Sequence, residues 1–306
     1  MTDRGGGPHI SVGICTYQRA ESLRRLILEL EQQETGGLFT FHIVVVDNDA
    51  NASARATIQE LARRSVIPIS YDVEPEQNIA LARNRGFANS PGDLIAFIDD
   101  DESVNREWLM RLYSALREYR ADGVLGPVKP RFASPPPLWA VKGGIFERPD
   151  CRPTGAKLPW TNTRTGNALI AREALEAIDG PFRREFGSGG EDRDFFRRAI
   201  DAGFVFVGCE EAAVDEIVSA ERLRLSVQLR RALLRGKASI AHQPEVEPWS
   251  VLKSLAACAT YTVLLPVFLL GGQHLFVNYL IRDFDHLGKL LALCGIDVVK
   301  DKYIVQ

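Results

Sequence analysis

Residues 93–102, Asp93-Leu-Ile-Ala-Phe-Ile-Asp-Asp-Asp-Glu102, run a short apolar segment straight into four consecutive acids. An uninterrupted apolar run of this length suits a strand buried on both faces, and the acids fall where that strand leaves its sheet. An earlier run, Phe41-His-Ile-Val-Val-Val46, is β-branched and stops the same way, at Asp47. His9-Ile-Ser-Val-Gly-Ile-Cys15 and Ile67–Val73 supply two more strand-like runs. Helical patterns separate them: Leu23, Leu26, Ile27 and Leu30, then Ile58 and Leu61, then Ile79–Phe87, then Trp108, Leu112 and Leu116. Strand and helix alternating at this spacing predict a parallel sheet covered by helices on both faces. Ligands of such a sheet bind beyond the carboxyl ends of its strands, where Asp47 and Asp99–Glu102 stand. An acidic cluster there suits magnesium or manganese, which take few carboxylates and complete their shell with substrate phosphates.

The composition bounds the alternatives. With 306 residues, 45% of them hydrophobic and 25% charged, the chain has the averages of a soluble globular protein; disorder and a polytopic membrane protein are excluded. Basic and acidic residues number 37 and 40, so no general field recruits nucleic acid. Cys15, Cys151, Cys209, Cys258 and Cys294 form no CxxC pair and read as cytosolic free thiols. His9, His42, His242, His274 and His286 show no ligand spacing, so no zinc is assigned, and no Ser-His-Asp or Cys-His order stands out. Met1–Pro8 is polar and the run Ile10–Cys15 is too short for a signal sequence, so a cytoplasmic location is expected.

The second half reads differently. Prolines crowd residues 131–159, with Trp139 and Trp160 near the ends, which predicts a long functional loop. A helix opens after Gly187-Ser-Gly-Gly190 and stops at Gly203; short strands follow near Val205 and Val214, then an arginine-rich helix over Arg222–Lys237. Gln243–Pro248 reads as a linker, and Ser254–Ile281 contains no Asp, Glu, Lys or Arg. A spanning helix needs about 20 apolar residues, but Pro266 and Gly271-Gly272 interrupt this one. A re-entrant hairpin, an in-plane helix pair and a buried dimerisation element compete with a span. Arg230, Arg231, Arg235, Lys237 and Lys253 suit the cytoplasmic face of an anionic bilayer, so membrane attachment is expected.

Five motifs stand in order: Val12-Gly-Ile-Cys-Thr-Tyr17, Val45-Val-Asp-Asn48, Asn78-Ile-Ala-Leu-Ala-Arg-Asn84, Phe97-Ile-Asp-Asp-Asp101 and Gly189-Gly-Glu-Asp192. In this order they resemble the family 2 glycosyltransferases, most closely the subgroup around bacterial succinoglycan-type glucosyltransferases. The resemblance covers roughly residues 10–236. It implies an α/β fold of the GT-A type, a Rossmann-like mixed sheet flanked by helices, with a C-terminal apolar helical segment added. Residues 1–242 are then the catalytic domain, with a nucleotide-sugar half over about 9–130 and an acceptor half over about 131–242. Residues 243–306 form the linker and the membrane-associating or packing segment.

Roles follow residue by residue. Asp47 can accept from the N3–H of a uracil ring, with Thr16 and Tyr17 beside the base. Arg83 is a nucleotide-side contact. Asp99 and Asp101 resemble the family's Asp-x-Asp motif, the first acid near the ribose and the last on the metal, while Asp100 turns away to support the loop. By resemblance Asp192 is the base of an inverting transfer, taking the proton of the acceptor hydroxyl, and Glu191 is its acceptor-binding partner. The glycines before them allow backbone and sugar to approach closely. A dipole-complementing pair of acids in a first helical turn is the plainer reading of the same residues. Asn167 is read either as lining the acceptor side or as a turn residue, Trp160 either as stacking on a sugar face or as a packing anchor. Many family members carry a metal-binding histidine after this helix; here Val214-Asp-Glu216 stands instead, leaving Glu216 as the oxygen donor. Arg222, Arg230 and Arg231 either neutralise the departing diphosphate or form a basic helix at a membrane.

The expected activity is inverting transfer from a UDP-sugar, glucose-type, to a saccharide or lipid-linked saccharide, with Mn2+ or Mg2+ as cofactor. The oligomeric state is left open. A catalytically degenerate nucleotide-sugar-binding or scaffold protein is the alternative, supported by the missing histidine. A nucleotidyltransferase is weaker, because Gly5–Gly7 precedes the first strand where a phosphate loop would follow it.

Overall fold

The computed structural model describes residues 7–148, 153–187, 189–241, 247–296 and 298–299. Cys151, His242, Ser188 and most of the expected linker, 243–246, lie outside the described residues. The alternation read from the sequence is present from the first strand. The order is β1 (His9–Thr16), α1 (Ala20–Leu30), β2 (Thr40–Asp47), α2 (Arg55–Arg64), β3 (Ile69–Val73), α3 (Ile79–Ala88), β4 (Leu94–Asp99), β5 (Glu102–Ser103) and α4 (Trp108–Tyr119). Then come β6 (Gly123–Leu125), β7 (Val128–Phe132), α5 (Leu138–Lys142), β8 (Asn167–Ala171), α6 (Arg172–Glu176), α7 (Glu191–Asp201), β9 (Phe206–Gly208), β10 (Val214–Val218), α8 (Leu225–Ala241), α9 (Pro248–Leu270) and α10 (Gln273–Leu293).

The main sheet has the order β3-β2-β1-β4-β8-β6-β9. Strands β1 to β4 within it are parallel, but β8 enters antiparallel between β4 and β6. The sheet is therefore mixed, as the resemblance implies, and not parallel throughout. The reason is that β8 follows the excursion of residues 131–166 and not a helical crossover, so it can run antiparallel to β4 and β6. That proline-dense stretch is also less irregular than its composition predicts, since it holds α5, a 3-10 turn at Trp160–Asn162 and a bridge from Lys157 to Val207.

Side chains of the central strands alternate between two apolar layers, the period of two expected of a sheet covered on both faces. Ile10, Val12 and Ile14 of β1 join Leu94, Ala96 and Ile98 of β4 against α1, α2 and α4. Ile95 and Phe97 of β4 face the other way, toward Phe195 and Phe196 of α7 and Leu175 of α6. Cys15 is held among these strands, where burial pushes its thiol up to about 12, so it is no nucleophile.

At the amino end of β1, His9 and His42 stack with ring centroids 4.9 Å apart and share a hydrogen bond of 2.8 Å. Burial, then the neighbouring His9, lowers His42 to about 4. The unfolded chain takes up this proton near pH 6.5 and the folded chain only near 4, so acidification through that window favours unfolding. The expected loss is up to about 3 kcal/mol. Comparing melting temperatures of the parent and His42→Gln chains between pH 7 and 4.5 checks it: the variant should show the shallower decline.

The chain divides into two compact units. One comprises Met1–Lys129, Arg148–Gly187 and Glu191–Glu216; the other comprises Pro130–Glu147, Ser188–Gly190 and Ile217–Gln306. The division falls at residue 216 rather than near 242, because α8 packs along α10 with α5 and α9 in the second unit. Its apolar centre is Trp139, Ala140, Ala232, Val277 and Ile281. The charge-free stretch is two helices rather than one, broken at Gly271-Gly272, where Gly272 adopts a φ of 127°.

Candidate active site

Register delivers the acids. Parallel pairing sets Thr16 beside Asp47 and Cys15 beside Asp99 at one edge of the sheet. Beyond β4 the chain turns into β5, which pairs antiparallel with β10 so that Glu102 opposes Glu216. Asp99, Asp100, Asp101, Glu102 and Glu216 thus share one neighbourhood. Burial pushes Asp101 up to about 6, against the pull of Arg19 and with added repulsion from Asp100, Asp99 and Glu216. Glu102 is wholly buried and lies well above the ordinary range, through burial first and then Asp99 and Asp101. Its Oε2 accepts the Asp99 N–H at 3.1 Å, and its Oε1 has no hydrogen-bond partner among the described residues. Gly166 closes this corner: a Cβ there would lie 2.9 Å from Asp99 Oδ2 and 3.0 Å from Glu102 Oε1.

Three arginines answer the acids. Arg19 donates to Asp100 at 2.8 Å and to Asp101 at 3.2 Å, Arg148 pairs with Glu216, and Arg83 donates to Asp99 at 3.2 Å. The carboxylates outnumber them, and Arg83 is shared with a further acid, Glu191. Among the described residues no three His, Cys, Asp or Glu side chains form a ready metal cage. The donor set therefore fits a divalent ion held by one or two carboxylates and completed by phosphate oxygens. Carboxyl groups that repel one another are the ones such an ion relieves.

Arg83, buried on α3, ties this cluster to the start of α7. One arm reaches Asp99 and the other reaches Glu191, which is itself buried and whose Oε2 has no hydrogen-bond partner among the described residues. Asp192 follows in the first turn, half-buried, its Oδ1 accepting the Arg193 N–H at 2.7 Å. Gly189 and Gly190 enter the helix at φ of 125° and 94°, and a Cβ at Gly189 would meet nothing, so conformation rather than space demands glycine there. Asp194, fully buried, fixes the same turn through Arg198 at 2.8 Å, Arg197 at 3.4 Å and Arg183 at 3.6 Å. The turn bearing Trp160, which is 39% exposed, packs on α7. Arg164 beyond it feels the like charges of Arg148 and Arg193 and the opposite charges of Asp192 and Glu216.

Other expected site residues are committed within the protein. Asp47 stands at its strand end and is buried: its Oδ1 accepts the Asp49 N–H at 3.1 Å, its Oδ2 the Ala54 N–H at 2.7 Å and the Tyr71 hydroxyl at 2.9 Å. It braces the loop over 48–54 from beneath, because a carboxylate buried at a strand end must find donors and this loop supplies them. Asn167 departs from an acceptor-lining position. Its amide donates to the carbonyls of Pro127 and Ala212 and accepts from the Trp108 indole N–H at 2.8 Å, which spends it on the core. Thr16 donates to Asp100 at 2.7 Å, and Tyr17 is half-buried next to it. Glu216 is in the acidic cluster. Arg222 and Arg230 belong to the second unit, where the Arg222 guanidinium lies 5.8 Å from the Phe146 ring centroid. Arg19, Arg148 and Arg164 are site residues that sequence reading passes over, since no motif contains them.

Comparison with known proteins gives concordant matches. The family model "Glycosyl transferase family 2" matches residues 11–178. The succinoglycan biosynthesis protein ExoM of Rhizobium meliloti (strain 1021) is 35% identical over 302 residues, 95% of each chain. The glycosyltransferase AglE of Haloferax volcanii is 28% identical over 217 residues, 67% of each chain. Among solved structures, the mannosyltransferase PcManGT from Pyrobaculum calidifontis, in complex with GDP-Man and Mn2+, aligns with a TM-score of 0.64 at 16% identity over 94% of this chain and 88% of that one. S. aureus TarS 1–349 in complex with UDP-GlcNAc aligns with a TM-score of 0.55 at 16% identity over 95% of each chain. At that identity the two structural matches speak for the fold.

Proposed function

The chain belongs to the family 2 glycosyltransferases, and on that premise we propose that it transfers a glucose-type sugar from a UDP-sugar, with inversion, to a saccharide or lipid-linked saccharide in exopolysaccharide or cell-surface glycan synthesis. The observation that carries the reading is the arginine bridge: Arg83 joins Asp99, in the strand-end acid cluster, to Glu191, next to the proposed base. Donor-side and acceptor-side groups are thereby held in one compact unit. The name of ExoM supports the polysaccharide context; of the two structural matches one holds UDP-GlcNAc and the other GDP-Man, so the uridine donor is the part a nucleotide-sugar panel tests.

Asp192 takes the proton of the attacking hydroxyl, on the face of the anomeric carbon opposite the leaving diphosphate. Trp160 orients the acceptor, and Glu191, held by Arg83, positions the turn that presents Asp192. Asp101, with Asp99 or Glu216 as a second oxygen donor, would hold Mn2+ or Mg2+, and the ion would offset the charge developing on the diphosphate. Arg19 holds the loop that presents Asp101. Asp47 acts on the base through the loop it braces.

A thermal-shift panel of UDP-, GDP- and dTDP-sugars, with and without manganese, tests the assignment. UDP-sugars should stabilise the parent chain in a manganese-dependent way. Asp101→Asn should lose that dependence and about 10²-fold or more in turnover. Stabilisation by non-uridine donors alone would overturn the uridine assignment. Donor binding without any metal-dependent release of UDP would identify a degenerate binding protein instead.

A further inference from the structure

Helix α9 is built inside out. Polar side chains of α9 turn toward α10, beside the Phe268 ring: Ser250 accepts from Lys289 Nζ at 2.5 Å, Thr262 donates to Asp283 Oδ2 at 3.1 Å, and the Tyr261 ring lies against His286 and Tyr279. Leu252, Leu255, Val263, Val267, Leu269 and Leu270 point away from the protein, each more than half exposed. A helix facing water shows the reverse arrangement. A second helix packed on α9 would cover one narrow seam. The exposed apolar side chains instead spread over an arc broader than one seam, with Lys253 and Thr260 exposed beside them, which suits an apolar medium bounded by a polar layer. At the amino end, the Lys253 ammonium lies 5.7 Å from the Trp249 ring centroid, and an indole with a cation suits a headgroup layer.

The length of α9 would allow a span, but its partner forbids one. The two helices run antiparallel, Ser250 opposite Lys289 and Phe268 stacked on Tyr279 across the Gly271-Gly272 turn. A spanning α9 would draw the exposed Arg282 and the Arg235–Asp285 pair to hydrocarbon depth. The one charged residue of α9 is the basic Lys253, and α8, packed on the same partner helix, carries Arg230, Arg231, Arg235 and Lys237 and no acid. We propose that α9 lies in the plane of one leaflet of an anionic bilayer, its outward side chains among the acyl chains, with α10 and α8 on its water side. The proposal does not rest on the transfer chemistry; it specifies the surface on which a lipid-linked acceptor would be met.

Flotation of the full chain with vesicles of phosphatidylcholine and phosphatidylglycerol, at about seven parts to three, tests it. The parent chain should float, and Val263→Glu combined with Val267→Glu should lower binding about tenfold or more. Both positions face outward, so transfer to a water-soluble acceptor should survive and report an intact fold. Depth is read by tryptophan quenching with lipids brominated near the headgroup or near the chain end. Trp249 itself is compared with Val263→Trp and Leu270→Trp, each made in a Trp249→Phe background. All three should be quenched more strongly by the headgroup-proximal bromines. Strongest quenching of position 263 by the chain-end bromines would establish a span and overturn the proposal. So would unchanged flotation of the double variant, or a parent chain that dimerises and ignores vesicles. Equal binding to pure phosphatidylcholine would overturn the anionic requirement.

Discussion

Asp192→Asn should cut sugar transfer by about 10²–10⁴-fold while leaving UDP-sugar binding at its parental strength. Asparagine keeps the shape of the side chain and an oxygen to accept the Arg193 N–H, so the first turn of α7 has no reason to move. That turn is fixed elsewhere, by Asp194 and its three arginines. The one property removed is the capacity to take a proton from the acceptor hydroxyl. Initial rates with a saturating donor, beside thermal shifts with UDP-sugar and manganese, separate the two effects. Full activity would sink the base assignment. Loss of donor binding in step with activity would move Asp192 to the donor side.

Arg83→Met should act on both stability and catalysis. Glu191 is buried, one of its oxygens has no partner among the described residues and Arg83 pairs with the other, so removing the guanidinium leaves a carboxylate stranded in the interior. Breaking such a pair costs about 3–5 kcal/mol. Arg83→Met with Glu191→Gln should recover most of that stability, since a neutral amide is far less costly to bury than a charge. It should recover little turnover, because Asp99 and the start of α7 would no longer be joined. Denaturant titrations of the two single variants and the double, with rates for each, give the cycle. If Arg83→Met leaves stability unchanged and only weakens nucleotide binding, the residue is a plain nucleotide contact.

The strand-end acids and the Gly-Gly entry to α7 were legible because each is local. An apolar run that stops at an acid and a helix that starts after glycines need no knowledge of distant residues. Arg19 and Arg148 were not legible for the opposite reason. Arg19 meets Asp100 across 81 positions of sequence, and only the register of β1 against β4 brings them together. Asp47 shows a subtler limit. Its place at a strand end can be read from sequence, but whether its oxygens face a ligand or the donors of its own loop depends on that loop's course. Asn167 reads equally as an acceptor-side residue or a turn residue, and the antiparallel entry of β8 sets it against the Trp108 indole. The inverted face of α9 was half visible: the missing charges could be counted, but which side the serines took could not.

Gly166 has a wider bearing. The wall facing Asp99 and Glu102 is bare main chain, which substitution cannot recolour with charge, size or polarity without first intruding on the two carboxylates. The acid nest is insulated from gradual tuning on that side. Discrimination among donor sugars has to be written in the loops around it, so an engineer seeking a new donor should diversify those loops and leave residue 166 alone.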